Sequence, residues 1–377
     1  MNVSKAVTES TWIPYEPTEV LPPGETLRET LDALEMSQQK LAQRTGLSPK
    51  HINQIIQGQS ALTHETAIAL ERATGVPASF WNTLESNYRD YEARRRERTQ
   101  LTSESSWLKK MPLAALRKQG VIVATARDPG AQLQQVLQFF GVSSIEAWQE
   151  VWAQPSASFL QSASFTADEG AVAAWLRLGE IAATQVKCDP FSRVRLRSLL
   201  PDLRGLTVEP PAIFWPELKR LCASAGVAVV IEEEVRGARA SGATRWISPN
   251  KAIVQLSNRG KRNDKFWFAL FHELGHVLLH GKKEVFVEYK IGYDGGRLSQ
   301  EAEANDFARD LLIPRDSVRT LAGLQTSSDV RAFAHSIGIA PGIVAGRLQR
   351  DREDWTYGQH PVSLFEKFEI ERSNTER

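Results

Sequence analysis

Residues 266 to 280 read Phe266-Trp-Phe-Ala-Leu-Phe-His272-Glu273-Leu274-Gly275-His276-Val-Leu-Leu-His280. On an α-helix, positions i and i+4 lie one turn apart on one face, so His272 and His276 can offer two imidazoles to one ion. Glu273, next to the first of them, is placed to activate water at that ion, and Gly275 lets backbone or substrate come close. Five-residue HExxH strings also occur by chance, so the context decides. Here Phe266 to Phe271 and Val277 to Leu279 make the helix almost wholly apolar, which predicts that it is buried. Two imidazoles and a carboxylate in a buried helix need a compensating partner, and a metal ion supplies it.

A catalytic metal needs a third protein ligand and leaves its fourth position to water. His280 is in the helix pattern but too far away to bind the ion: at about 1.5 Å rise per residue it would lie roughly 12 Å along the axis from His272, so it reads as a residue behind a ligand or at the helix end. The HExxHxxGxxH arrangement fails too, since position 279 is leucine and 282 is lysine. The next helical pattern, about 299–312, offers Glu301 and Glu303. Its buried face is marked by Ala304, Phe307, Ala308, Leu311 and Leu312. At about 100° per residue Glu301 projects about 20° from Ala308, and Glu303 about 140° away, toward Asp306 and Asp310. Periodicity therefore favours Glu301 and leaves Glu303 as the alternative; Asn305, one turn on, is placed to orient a ligand.

On both sides of this pair the chain reads as several domains. An extended arm is expected over 1–23. Residues 24–98 read as an all-α domain of five short helices. These start at Thr26 (with Glu29 as a capping box), Ser37, Ser48 and Thr63, with the last after Pro77, and Gly46, Gly58 and Gly75 act as stops. A linker is expected over 99–106 and a tryptophan-rich helical middle region over 107–205, with helical runs at 131–140, 143–154 and 168–187. No site is apparent in that region, and Trp148 and Trp152 read as core. An α+β domain follows over 213–350, with short strand patterns at Val227–Ile231, Arg245–Ser248 and Ala252–Leu256. A helix pair at 328–349 around Gly338 reads as packing or docking rather than DNA contact, and 351–377 is expected to be a tail.

The motif Phe268-Ala-Leu-Phe-His272-Glu273-Leu-Gly-His276-Val-Leu-Leu-His280, followed by Glu301-Ala-Glu-Ala-Asn-Asp-Phe-Ala-Arg-Asp-Leu-Leu-Ile-Pro314, resembles the ImmA/IrrE family of metallopeptidases. The resemblance covers about 213–350; Ile313, where methionine is commoner, is a conservative departure. It implies a gluzincin-like fold with Zn2+ held by His272, His276 and Glu301. It also implies endopeptidase activity on a repressor-type protein. In that chemistry the amide is cut by zinc-activated water, with Glu273 as the general base that returns its proton to the leaving amine.

The stretch Ser37-Gln-Gln-Lys-Leu-Ala-Gln-Arg-Thr-Gly46-Leu-Ser-Pro-Lys-His-Ile-Asn-Gln-Ile-Ile-Gln-Gly58 has helix-turn-helix form. Leu41, Ala42, Ile52, Ile55 and Ile56 point inward. That leaves Ser48, Pro49, Lys50, His51, Asn53 and Gln54 on the outer face of the recognition helix, where Asn and Gln can read adenine and Lys50 guanine or phosphate. Gln38 and Gln39 at a helix N-terminus suit a phosphate. Residues 24–99 carry ten Lys/Arg and ten Asp/Glu, without the basic excess usual in DNA binders. A five-helix protein-interaction module therefore stays open from charge alone. With Pro23-Gly24-Glu25 before it and Phe80-Trp81-x-x-Leu84-Glu-x-Asn87-Tyr88 after it, the block resembles the Xre-type helix-turn-helix of HigA-like antitoxins. That resemblance implies operator binding through 37–58, as a homodimer.

The whole chain has 377 residues, 42% hydrophobic and 24% charged, with net charge +1, so bulk charge selects no partner. Cys188 and Cys222 form no CxxC, which removes a cysteine-based metal site and fits a reducing cytoplasm. No apolar run reaches the roughly 18 residues of a membrane span, and no signal peptide is visible. The expectation is a cytoplasmic, DNA-binding regulator with a zinc endopeptidase domain. The alternative is a HigA-like repressor or antitoxin relative whose metal domain is a non-catalytic sensor or scaffold.

Overall fold

Proline and glycine punctuation sets most helix ends in the computed structural model, which describes residues 20–153, 168–257, 262–280, 286–289, 298–356 and 364–367. The expected arm lies outside these residues up to position 19, as do 357–363 and 368–377 of the expected tail. Two compact units emerge, residues 1–104 and 105–377.

In the first unit five helices follow one another: α1 (Pro23–Ala33), α2 (Gln38–Thr45), α3 (Pro49–Ile56), α4 (His64–Thr74) and α5 (Ala78–Glu104). Ser37, Ser48 and Thr63 cap α2, α3 and α4 as their sequence positions predict, each oxygen accepting a backbone N–H three residues on. Leu27, Leu31, Leu41, Ile52, Ile55, Leu70 and Trp81 close a common core. Two boundaries differ from expectation. α1 begins at Pro23 and not at Thr26, because proline at the first helical position loses no hydrogen bond. Gly24 fixes that start, since a Cβ there would come within 2.2 Å of Ile55 O. The expected linker over 99–106 is instead helical to Glu104 and continues as a 3-10 turn over Ser105–Lys110. No glycine or proline interrupts 78–104, and Arg89–Glu85 (2.7 Å) and Arg94–Asp90 (2.8 Å) support the helix at i,i+4 spacing.

The second unit starts with α6 (Leu113–Lys118), α7 (Pro129–Phe140), α8 (Ile145–Trp148), α9 (Glu169–Thr184), α10 (Arg193–Gly205) and α11 (Pro211–Ser224). Strands β1 (Val227–Glu232), β2 (Ala240–Ser248) and β3 (Lys251–Ser257) follow, then α12 (Asn263–Leu279), β4 (Phe286–Tyr289) and α13 (Leu298–Leu312). Three short helices complete it: α14 (Val318–Ala322), α15 (Ser327–Ile337) and α16 (Pro341–Asp351). The sheet has the order β1-β3-β2-β4. β1 runs parallel to β3, with Val229 opposite Val254, and β2 is antiparallel to both β3 and β4. The parallel pair is possible because β1 and β3 are separated by β2, so the chain returns to β1's direction.

β1 and β3 are apolar on both faces, which a sheet tolerates only when both faces are covered. On one face Val227, Val229, Val254 and Leu256 join Leu218, Trp267, Leu270, Phe271 and Leu274 in the main core. On the other, Ala228, Val230 and Ile253 pack with Ala182 and Ala183 of α9. The middle region is thus no separate domain: its buried helix α9 is the sheet's second cover. Polar groups join the layers. Gln255 Nε2 donates to Trp175 O (2.7 Å), Lys251 Nζ to Ala183 O (2.7 Å) and Val186 O (2.6 Å), and Arg245 pairs with Glu180 (2.8 Å).

Trp148 and Trp152 are core, in ring contact with Phe140. Cys222 lies in the main core, where burial pushes its thiol up to about 12. α15 and α16 contribute Val330, Phe333, Val344 and Leu348 to the same core, so the pair at 328–349 packs. Part of the expected tail packs as well. Leu364 and Phe365 are buried, and Asn263 N donates to Glu366 O (2.9 Å) at the start of α12.

Trp175 is fully buried in α9. Trp175→Ala should cost about 3–5 kcal/mol. Urea unfolding followed by hydrogen exchange in β1 and β3 reads this; an unchanged midpoint would mean that α9 does not support the sheet.

Candidate functional site

Helix α12 carries His272, Glu273 and His276 into the core, with the His272 and His276 side chains 1% exposed. Their Nε2 atoms lie 3.0 Å apart. Glu301, on α13, completes a triangle: its Oε2 is 3.2 Å from His272 Nε2 and its Oε1 is 3.5 Å from His276 Nε2. Ligand atoms on a tetrahedral ion with bonds of about 2.1 Å sit roughly 3.4 Å apart, so these separations fit one metal. Among the described residues, this is the group of three or more histidine, cysteine or acidic side chains that could hold an ion.

Glu301 meets both imidazoles because α13 turns that side chain toward α12. Glu303 points elsewhere, 59% exposed against 34% for Glu301. Gly275 explains how the helices come so close. A Cβ there would lie 3.1 Å from Phe307 and 3.3 Å from Ala304 Cα, so the residue admits α13 rather than a substrate.

The electrostatics suit a ligand set. Burial drives the His276 ring down to about 4, ahead of the opposing pull of Glu301. Burial alone would raise the Glu301 carboxyl, but hydrogen bonds from His272 and His276 bring it down to about 2. Neutral imidazoles and an ionised carboxylate are the forms a metal ion takes. Each ring's far nitrogen is also engaged. His272 Nδ1 is 3.2 Å from Asn305 Oδ1, and His276 Nδ1 is 2.8 Å from His280 Nδ1.

Glu273 is fully buried and stands outside the converging triangle. Thr244 Oγ1 donates to its Oε2 (2.7 Å) and also lies 3.0 Å from its backbone oxygen. Gly242 leaves the space for this carboxylate, since a Cβ there would come within 2.4 Å of Glu273 Oε1. Thr244 and Gly242 lie in the first half of β2, which the strand pattern at Arg245–Ser248 does not reach. Ala240-Ser-Gly-Ala-Thr244 is built of small residues with little strand signal, so nothing local marks it.

On the first unit, Gln38, Gln39, Ser48, Pro49, Lys50 and Asn53 are exposed, and His51 and Gln54 half-buried. Gln38 and Gln39 open α2, and the others lie at the cap and along the outer side of α3. Ser48 Oγ also accepts from His51 N (3.1 Å), so it caps the helix. Gly46 turns between α2 and α3 at φ 74°. Among the described residues no helix is long and apolar enough to cross a membrane.

The Gly242→Ala chain should lose about 1–3 kcal/mol, because the added methyl must displace a buried carboxylate. Thermal unfolding tests this, and a variant as stable as the parent would show that Glu273 has room to move.

Comparison with known proteins agrees with this division. A helix-turn-helix family model matches residues 27–81, and an IrrE N-terminal-like domain model of the M78 peptidases matches 224–349. No curated protein matches the chain. Among solved structures, a proposed antidote protein of a plasmid maintenance system from Nostoc punctiforme is 26% identical. It covers 22% of this chain and 91% of its own, with a TM-score of 0.22. A HigA-family addiction-module antidote protein from Coxiella burnetii is 27% identical over 23% of this chain and 96% of its own, also at 0.22. This chain therefore joins an Xre-type helix-turn-helix domain to a peptidase-family domain of the IrrE N-terminal-like kind.

Proposed function

We propose that this protein is a DNA-binding transcriptional regulator whose second unit is a zinc-dependent endopeptidase acting on a repressor-type protein. The observation that carries the reading is the convergence of His272 Nε2, His276 Nε2 and Glu301 within 3.5 Å of one another across two helices. Two imidazole nitrogens and a carboxylate that converge in a buried site need a proton or a cation between them, and these separations fit a metal ion. A nitrogen-rich set of three ligands with one carboxylate suits zinc. Zinc bound there would supply Lewis acidity toward an amide carbonyl and toward water.

The remaining work falls to the chain's own groups. Glu273 accepts a proton from the attacking water and hands it to the amine nitrogen as the C–N bond breaks. Thr244 steadies that carboxylate through Oε2. The apolar walls of α12 exclude bulk water and strengthen each of these contacts.

Through α2 and α3 the first unit would bind an operator, as a dimer, so that paired half-sites raise affinity. Lys50 would contact phosphate or guanine, and Asn53 and Gln54 base edges. A second reading, a repressor or antitoxin relative with a non-catalytic metal domain, draws on one feature: the Glu273 carboxylate is fully buried and bonded to Thr244.

Glu273→Gln separates the two readings. The variant should bind zinc as the parent does and lose turnover by roughly 10²- to 10⁴-fold. Comparative proteomics of cells carrying parent and variant identifies the protein that stops being cut, and an identical pattern would leave catalysis out of the account. For the first unit, Asn53→Ala should relax base preference at one operator position by about 1–3 kcal/mol, and Lys50→Ala should weaken all sequences alike. Mobility shifts of the full chain at low salt with DNA from upstream of its own gene measure both, and no shift by the parent would remove DNA from the proposal.

A further inference from the structure

We infer that His280 and Glu303 are positioning residues that fix the tautomer of His276 and so prepare the metal centre; this rests on the zinc reading above. His276 turns Nε2 toward His272 (3.0 Å) and Glu301 (3.5 Å). A nitrogen that gives its lone pair to a metal carries no proton, so the proton of a neutral ligand ring must sit on Nδ1. That Nδ1 is 2.8 Å from Nδ1 of His280, and two imidazole nitrogens at this distance share one proton. If His276 donates it, His280 Nδ1 is the bare acceptor, and the proton of the His280 ring lies on Nε2. That atom is 3.4 Å from Glu303 Oε2, and an ionised carboxylate only accepts.

The direction of the chain is thereby set: His276 Nδ1–H donates to His280 Nδ1, and His280 Nε2–H donates to Glu303. In the reverse order a neutral His280 would place a bare nitrogen against a carboxylate, and a proton would occupy the atom of His276 that faces the metal. His272 obtains the same result more simply, because Asn305 Oδ1, at 3.2 Å, can only accept from its Nδ1. One ligand is thus oriented by an amide and the other by a second imidazole.

The i, i+4 spacing of His276 and His280 brings their rings one turn apart on the same face. His280 is the residue after α12, extended at φ −108° and ψ 172°, with its N–H donating to His276 O at 3.1 Å. Its buried ring lies against the far nitrogen of His276. His280 thus reaches the ligand without reaching the ion. A side chain that holds a ligand's second nitrogen typically contributes roughly 10- to 100-fold in metal affinity.

The test uses the full-length chain. Zinc affinity is measured by competition with a chromogenic chelator, and histidine tautomers are read from the nitrogen-15 spectrum of the zinc-loaded, histidine-labelled protein. His280→Phe keeps the ring volume but removes the acceptor, and should bind zinc roughly 10- to 100-fold more weakly. His280→Asn, which returns an acceptor oxygen near the position of Nδ1, should recover most of that loss, which a purely volumetric role would not allow. In the loaded parent, His276 should carry its proton on Nδ1 and His280 on Nε2. Equal affinity of His280→Phe and parent, or a His280 proton on Nδ1, overturns the inference. If His280→Phe unfolds in metal-free buffer, the parent's spectrum decides alone. A parent that binds no zinc overturns the metal reading itself, an outcome distinct from the other two.

Discussion

Burying two imidazoles and a carboxylate in one apolar helix is the constraint on which the second unit depends. His272, Glu273 and His276 sit in α12 among Trp267, Leu270, Phe271 and Leu274, where an unmatched polar atom is costly. Two neighbouring elements and the helix's own end answer that demand. α13 brings Glu301 to the two Nε2 atoms and Asn305 to His272 Nδ1, β2 brings Thr244 to Glu273, and the helix's own end brings His280 to His276. The close approaches need glycine where they occur: Gly275 for α13 and Gly242 for the carboxylate.

The sheet supplies the rigid base for this arrangement. β1 and β3 are covered on both sides, by α11 and α12 with their core on one and by α9 on the other. Gln255, Lys251 and Arg245 tie α9 to the strands through buried or half-buried polar contacts. β2 therefore cannot shift without disturbing α9, and Thr244 keeps its register against Glu273. A site held on helices and an inner strand is positioned more closely than one held on loops.

The first unit is organised by local rules. Its caps at Ser37, Ser48 and Thr63 and its left-handed glycines at 46 and 75 are read directly from spacing, and the buried face of α3 follows from Ile52, Ile55 and Ile56. Where helix ends differ from the spacing, the cause is also local. Pro23 starts α1 because proline suits a first helical turn, and α5 runs to Glu104 because nothing between 78 and 104 breaks it.

The sequence by itself placed the HExxH pair on one helix and favoured Glu301 over Glu303, because both follow from 3.6-residue periodicity along a single helix. Two cover layers of the sheet were also legible in principle: Val227-Ala-Val-Val-Ile231 is a continuous apolar run, and Ala252-Ile-Val-Gln-Leu256 is broken by one glutamine alone, so both need two covered faces. What the sequence could not show is which helix forms the second layer. The answer, α9, lies more than forty residues upstream, and partners at that separation are chosen by packing. Only the tertiary structure decided the surroundings of the site. Thr244 and Gly242 come from a strand segment too small-sided to signal itself. His280 stands i+4 from His276, so its approach follows from helix spacing, but its pairing with Glu303 joins the end of α12 to α13. Pairings of this kind depend on distances between elements, and such distances are set by the packed fold.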